Sequence, residues 1–307
     1  MGAPWVQMHQ RMELMDEKQK LYHYTGQFGF LGIIQSAGVW ASHTSFLNDS
    51  SECSHAFEIA KQMVEAILDY DDYLDVFAFT LSSTLQYAEP PSLFITSFSE
   101  KADLLSQWRG YCPGGAGMCV GFDAASIKAY CAENGYRFER CIYERDSLSD
   151  KIRKLIDDCW EMFPHPSLGR AEFARLSPKQ SVNFSHDYRL SVTVGEHKDQ
   201  AAGVINWFCE ELAQLAPLYK NDGFHEEAEW RIVVKHPQTA LKYRGGLSCL
   251  IPYVELNILQ NKGTLQEIVV GPNPDQSRCL KSASMALETF GYQNVDLRWS
   301  FIPFNNW

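Results

Sequence analysis

Residues 223–234 read GFHEEAEWRIVV, and the reading of this stretch decides the rest. Glu226, Glu227 and Glu229 close a loop, and Trp230-Arg231-Ile232-Val233-Val234 follows as a strand-like run. On extended chain, alternation with period two sets Glu227, Glu229 and Arg231 on one face and Ala228, Trp230 and Ile232 on the other. The second face is apolar and can pack. The first carries like charges two residues apart, which repel unless they meet a cation or a ligand. Two readings stand side by side: a solvated strand start with Arg231 as counter-ion, or a pair of site carboxylates.

Composition bounds the choice. The chain has 307 residues and is 45% hydrophobic, enough for one large domain or two small ones. No apolar run is long enough to span a bilayer. The first residues, MGAPWVQMHQRMELMDEKQK, lack a signal-peptide core, and Val6 breaks the myristoylation pattern. A cytoplasmic protein with no membrane partner is expected. The nine cysteines are odd in number and scattered, with no Cys-x-x-Cys and no Cys/His cluster of zinc type. They read as reduced, buried thiols, and no metal is expected. A net charge of −11 without a Lys/Arg run excludes a broad nucleic-acid surface, though not a small nucleotide pocket.

Taken in order, residues 1–20 read as a polar helical extension. Leu21-Tyr22-His23-Tyr24-Thr25 is a short strand. Phe28, Leu31, Ile33 and Ile34 recur at helical spacing up to Gly38, a C-terminal glycine. Val39 to Ser42 is a strand, and Asp49 with Glu52 forms a capping-box pattern at the start of the next helix. Leu93 to Ser99 is a strand, Asp103 to Tyr111 a short helix, and Met118 to Phe122 a strand after a glycine turn. From about 127 to 218 the pattern is largely helical and reads as an insertion. Strands at 247–251, 267–271 and 295–301 and a helix at 277–290 complete a single α+β domain over 21–304.

Three segments carry chemistry-bearing residues: LYHYT with His23; FITSFSEKADLLSQWRGYC, followed by MCVGF; and EAEWRIVV. In this order they resemble the ADP-ribosyltransferase superfamily. The LYHYT segment and the following helix look like its histidine strand. FITSFSEKADLLSQWRGYC looks like its middle strand and a helix ending in a stacking aromatic. EWRIVV looks like the strand opened by its catalytic glutamate, and Glu227-Ala228-Glu229 matches the Glu-x-Glu of the arginine-modifying branch. Ile95, Thr96 and Ser97 stand where one branch carries a tyrosine. Over about 21–304 the chain also resembles a bacterial family of unknown function, DUF2971, through LYHYT, FLNDSSE, GAGMCVGF, EEAEWR, EIVVGP and SFIP.

The transferase resemblance implies a split β-sheet core around a cleft for NAD, used as a substrate. Glu229 then stabilises the oxocarbenium-like ribose, Glu227 faces the acceptor, and His23 bonds the adenine ribose. Tyr24, Thr25, Ser97, Ser99, Trp108, Tyr111 and Arg231 complete the implied nucleotide site, with Trp108 and Tyr111 as stacking candidates. The acceptor is a protein, nucleic acid, small molecule or water, in a bacterial cytosol and a setting of stress or phage defence. A second class stays open: a non-catalytic module that binds a nucleotide or protein, its carboxylates structural.

Overall fold

The computed structural model describes residues 19–47, 52–88, 92–112, 117–246 and 248–303. Residues 1–18 of the helical extension expected over 1–20, and the Asp49 capping box, lie outside them; Lys20, the last residue of that extension, instead opens a strand. The chain divides into two compact units: Met1–Leu47, Ser92–Cys141 and Gly223–Trp307 form one, and Asn48–Pro91 with Ile142–Asp222 the other. Among the described residues, no helix is long and apolar enough to cross a membrane.

The first unit holds a mixed sheet of ten strands: β1 (Lys20–Gly26), β2 (Val39–His43), β3 (Phe94–Ser99), β4 (Gly117–Asp123), β5 (Arg137–Arg140), β6 (Glu229–Val234), β7 (Lys242–Gly245), β8 (Leu250–Leu256), β9 (Leu265–Val270) and β10 (Asp296–Trp299). Their order is β10-β9-β4-β1-β3-β2-β8-β7, with β6 paired to β3 and β5 to β6. Every pair is antiparallel except β10 with β9. The class is α+β, as the sequence pattern predicts.

One face of the sheet packs Leu21, Phe98, Val120, Phe122, Ile232, Val234, Ile268 and Val270 into a single apolar cluster. Three helices supply its other side: α1 (Gln27–Ser36) with Phe30, Ile33 and Ile34; α5 (Ala124–Asn134) with Ile127 and Cys131; and α10 (Gln276–Thr289) with Ala283 and Leu287. α1 stops at Ala37, which takes the left-handed conformation at φ 55. The expected stop residue, Gly38, instead donates its N–H to the carbonyl of Ile33 at 3.2 Å.

The opposite face is covered by the short helix α4 (Leu105–Tyr111). Trp108 of α4 packs with Tyr24, Cys112, Cys119 and Val269, its ring meeting Tyr24 edge-on at 4.8 Å. The indole N–H donates to Asp103 Oδ1 at 2.7 Å. The same carboxylate accepts from the Ser300 hydroxyl at 2.6 Å and the Phe301 N–H at 3.0 Å. A Cβ on Gly271 would come within 2.9 Å of the Trp108 ring, and one on Gly117 would collide with Cys112 Sγ. Gly117, Gly271 and Ser300 therefore have a packing account: the two glycines make room for Trp108, and Ser300 bonds the carboxylate that holds its indole.

Within the block expected to be largely helical, Arg137–Arg140 is a strand paired with β6. The second unit is helical: α2 (Glu52–Tyr70), α3 (Asp75–Gln86), α6 (Arg145–Met162), α7 (Arg170–Phe173), α8 (Pro178–Thr193) and α9 (Lys198–Leu215). Tyr73, Phe77, Trp160, Phe163 and Phe173 make a chain of tilted and edge-on ring contacts inside it.

Candidate functional site

The site lies where β1 and β3 part. β1 stays paired with β4 along its whole length, from Lys20↔Asp123 to Gly26↔Gly117. With β3 it shares one register pair, Tyr22↔Ser99. At the next residue the His23 ring fills the widening gap, bonding through Nδ1 to the Ser97 carbonyl at 2.8 Å. A carbonyl only accepts, so Nδ1 carries the hydrogen and Nε2 of the neutral ring is an acceptor. Burial favours that neutral form and lowers the His23 pKa, against the hydrogen bond to Ser97, which raises it. One bland role is thereby explained: the imidazole satisfies a backbone carbonyl where the ladder ends.

The other edge of β3 pairs with β6, and Ser99↔Glu229 and Ser97↔Arg231 are directly opposed, so these four side chains share a face. Glu229 and Arg231 form an ion pair, Nε to Oε1 2.7 Å, with only 7% and 6% of the Arg and Glu side chains exposed. The alternation predicted from Glu227 onward fails at one point. Asp222–Glu227 is a 3₁₀ turn, and Ala228 sits at φ 43, so Glu227 does not lie on the strand. The Ala228 carbonyl accepts from the Glu100 N–H at 3.1 Å and its N–H donates to the His225 carbonyl at 3.1 Å, which fix the turn. A non-glycine residue held in this conformation beside a cavity marks a constrained site. The apolar face is as expected: Ile232 and Val234 lie in the main core, with Trp230 packed against it.

Tyr22, His23, Tyr24, Ser97, Phe98, Ser99, Gln107, Tyr111, Glu227 and Glu229 line one cavity of about 50 Å³. Of the residues proposed from the sequence, His23, Tyr24, Ser97, Ser99, Tyr111, Glu227 and Glu229 are brought together. Their freedom differs. The Ser99 hydroxyl donates to the Glu227 carbonyl at 2.6 Å and accepts from the Lys101 N–H at 3.0 Å. The Tyr24 hydroxyl donates to the Lys101 carbonyl at 2.7 Å and accepts from the Leu104 N–H at 3.0 Å. Both residues position the walls. Tyr111 is 46% exposed and can offer a ring.

Three expected site residues are placed elsewhere. Trp108 is 1% exposed and, as core, has no free face for a ligand. Arg231 is the counter-ion of Glu229 and is not among the cavity-lining residues. Thr25 lies past the divergence, its carbonyl accepting from Cys112 Sγ at 3.5 Å. The sequence reading passed over Gln107, which is 7% exposed and lines the cavity. Its signal was present: a polar residue on the buried side of a helix whose apolar spacing was already plain.

A second carboxylate, Glu267, is structural. It accepts from Arg298 Nε at 2.6 Å, the Tyr22 hydroxyl at 2.9 Å and Lys20 Nζ at 3.0 Å, joining β1, β9 and β10. Burial alone would raise its pKa, but the bonds from Arg298, Lys20 and Tyr22 outweigh it and hold the carboxyl below its usual range. The described cysteines are free thiols, and burial pushes Cys112 up to about 12 and Cys119 well up, so neither is a nucleophile here. Among the described residues no cluster of His, Cys, Asp and Glu could hold a metal ion.

The class so defined is an α+β domain with a small, largely apolar-walled cavity that two carboxylates line, where two neighbouring strands of its sheet diverge. Residues 107–232 match the model of a family described as protein of unknown function (DUF2971), in support of the family resemblance read from the sequence. The matched stretch starts at Gln107 and contains both Glu227 and Glu229. No curated protein and no solved structure gives a significant match.

Proposed function

We propose that the protein is an ADP-ribosyltransferase-like enzyme that cleaves the nicotinamide–ribose bond of NAD and passes ADP-ribose to an acceptor or to water. The observation that carries this reading is the divergence of β1 from β3 over a cavity that holds His23, Ser97 and Glu229, one from each segment of the resemblance. A cavity with carboxylates on its wall, where neighbouring strands of one continuous sheet diverge, supports that reading. In the step proposed, the C–N glycosidic bond breaks and its electron pair leaves on the nicotinamide nitrogen. The ribose carbon becomes oxocarbenium-like and takes a new pair from the acceptor, whose proton passes to a base.

Each cavity-lining group has work in that scheme. Glu229, held by Arg231, accepts from a ribose hydroxyl and offsets the developing charge. Glu227, half-buried in the turn ahead of it, takes the acceptor's proton. Nε2 of His23 accepts from a second ribose hydroxyl, and Tyr111 stacks on a ring. A cavity of about 50 Å³ is well below the few hundred Å³ typical of ligand pockets, so it takes part of the dinucleotide and the rest lies outside.

The test is nicotinamide release from NAD by wild type, Glu229→Gln, Glu227→Gln and His23→Ala, with and without cell extract as acceptor. Glu229→Gln is expected to lose a factor on the order of a hundred to a thousand. Glu227→Gln should suppress transfer more than release, and His23→Ala should weaken binding more than the chemical step. Wild type that releases no nicotinamide with any acceptor favours the second reading, a non-catalytic binding module. The buried Glu229–Arg231 pair is the observation on that side, since it gives the carboxylate a structural role of its own.

A further inference from the structure

We infer that Gln107 is the residue by which this cavity selects a primary carboxamide, an assignment that rests on the NAD reading, whose leaving group carries one. Gln107 is 7% exposed and lines the cavity, yet its side-chain amide bonds to none of the described residues. Neighbouring groups on the same segment are engaged: Trp108 with Asp103, Cys112 with Thr25. Neither amide atom is sealed from solvent: both open to the cavity, where water or a ligand completes their hydrogen bonds.

The chemistry of the amide narrows the ligand. In one plane it presents an N–H donor and a carbonyl acceptor, and its complement is a group that offers the same two in reverse. A primary carboxamide does so with two parallel hydrogen bonds. A carboxylate satisfies only the donor side and meets Glu227 and Glu229 across the same cavity. The size agrees: about 50 Å³ holds roughly three to five waters, or the three heavy atoms of a carboxamide, with its ring directed out toward half-exposed Tyr111. Ser97 Oγ, also on the cavity and bonded to none of the described residues, is a second donor for the carboxamide oxygen.

The experiment is a ligand-observed NMR titration of the full chain with nicotinamide and with nicotinate, using wild type, Gln107→Leu and Gln107→Glu, each checked for a cooperative melt. Wild type should prefer nicotinamide over nicotinate by at least about tenfold, and Gln107→Leu should bind nicotinamide about ten to thirty times more weakly, the loss expected for two neutral hydrogen bonds. Equal affinity for the two ligands, an unaffected Gln107→Leu, or no binding of nicotinamide by wild type overturns the assignment. Should the variants fail to fold, the wild-type pair of ligands still decides. Failure of the enzyme reading looks different: nicotinamide bound selectively while NAD is never cleaved. NAD cleaved with a KM that Gln107→Leu leaves unchanged removes the assignment alone.

Discussion

Glu229→Ala is expected to destabilise the sheet unit by about 3–5 kcal/mol, because it removes the carboxylate 2.7 Å from the buried, charged Arg231. The figure follows from the geometry: a 2.7 Å contact with the two side chains 7% and 6% exposed leaves little water to take over the guanidinium. Glu229→Gln keeps the shape and one acceptor for Arg231 Nε but turns a charge-assisted bond into a neutral one. About half of that bond's strength is lost, a cost of about 1–2 kcal/mol. The double variant Glu229→Leu/Arg231→Met removes both charges and should recover part of the loss seen with Glu229→Ala, since a buried pair is replaced by apolar volume. Urea unfolding followed by tryptophan fluorescence measures all three. If Glu229→Ala lies within about 0.5 kcal/mol of wild type, the pair is solvated in solution and the buried-pair argument is refuted. The result also bears on activity, because turnover of any Glu229 variant has to be compared at equal folded fraction.

Other perturbations have defined signs. The His23 pKa is lowered in the fold, so between its unfolded value near 6.5 and its lower folded value the unfolded chain binds more protons. Stability should therefore fall as pH drops below about 6.5, and His23→Gln should flatten that limb of the pH–stability curve. Glu267 has the same sign on the acid side: its depressed pKa gives stability that is present above about 4.5 and lost as pH falls through the folded value, a limb that Glu267→Gln should remove. Ala228→Gly, at φ 43, should stabilise the protein by about 0.5–1 kcal/mol, or at worst be neutral, and a loss on denaturant unfolding would mean the turn is not held as described. Trp108→Phe removes the bond to Asp103 and should cost about 1–3 kcal/mol while leaving ligand affinity unchanged; a large change in affinity with stability intact would restore the role the resemblance gave to Trp108.

Much of this architecture was legible in the chain because it rests on periodicity. Leu21 to Thr25, Phe94 to Ser99, Met118 to Phe122 and Glu267 to Val270 fall in segments read as strands, and all lie in strands. Arg137–Arg140 was not legible. RFER is short and charged, and it is a strand only because β6 offers it an edge. Lys242–Gly245 escaped for the same reason, its partner being β8. At the site, local alternation failed between Glu227 and Glu229, since nothing in HEEAE signals a left-handed alanine. Aromatic spacing on α4 could not say which ring packs and which is open. Trp108 is buried under Gly117 and Gly271, while Tyr111 at the helix end is half-exposed. The Glu229–Arg231 pair was foreseen as a pairing, but as one at a solvated edge. It is buried because β6 is flanked on both sides, by β3 and β5.

The central claim is that NAD binds where β1 leaves β3, with its ribose hydroxyl on Glu229. A crystal of the Glu229→Gln variant soaked with NAD tests it most directly, since that variant should bind without turning over. Nicotinamide and its ribose are expected in the gap between Tyr22–Tyr24 and Ser97–Ser99, within hydrogen-bond distance of residue 229 and of Nε2 of His23. NAD lodged elsewhere on the chain, or a gap that holds only water at saturating NAD, would contradict it.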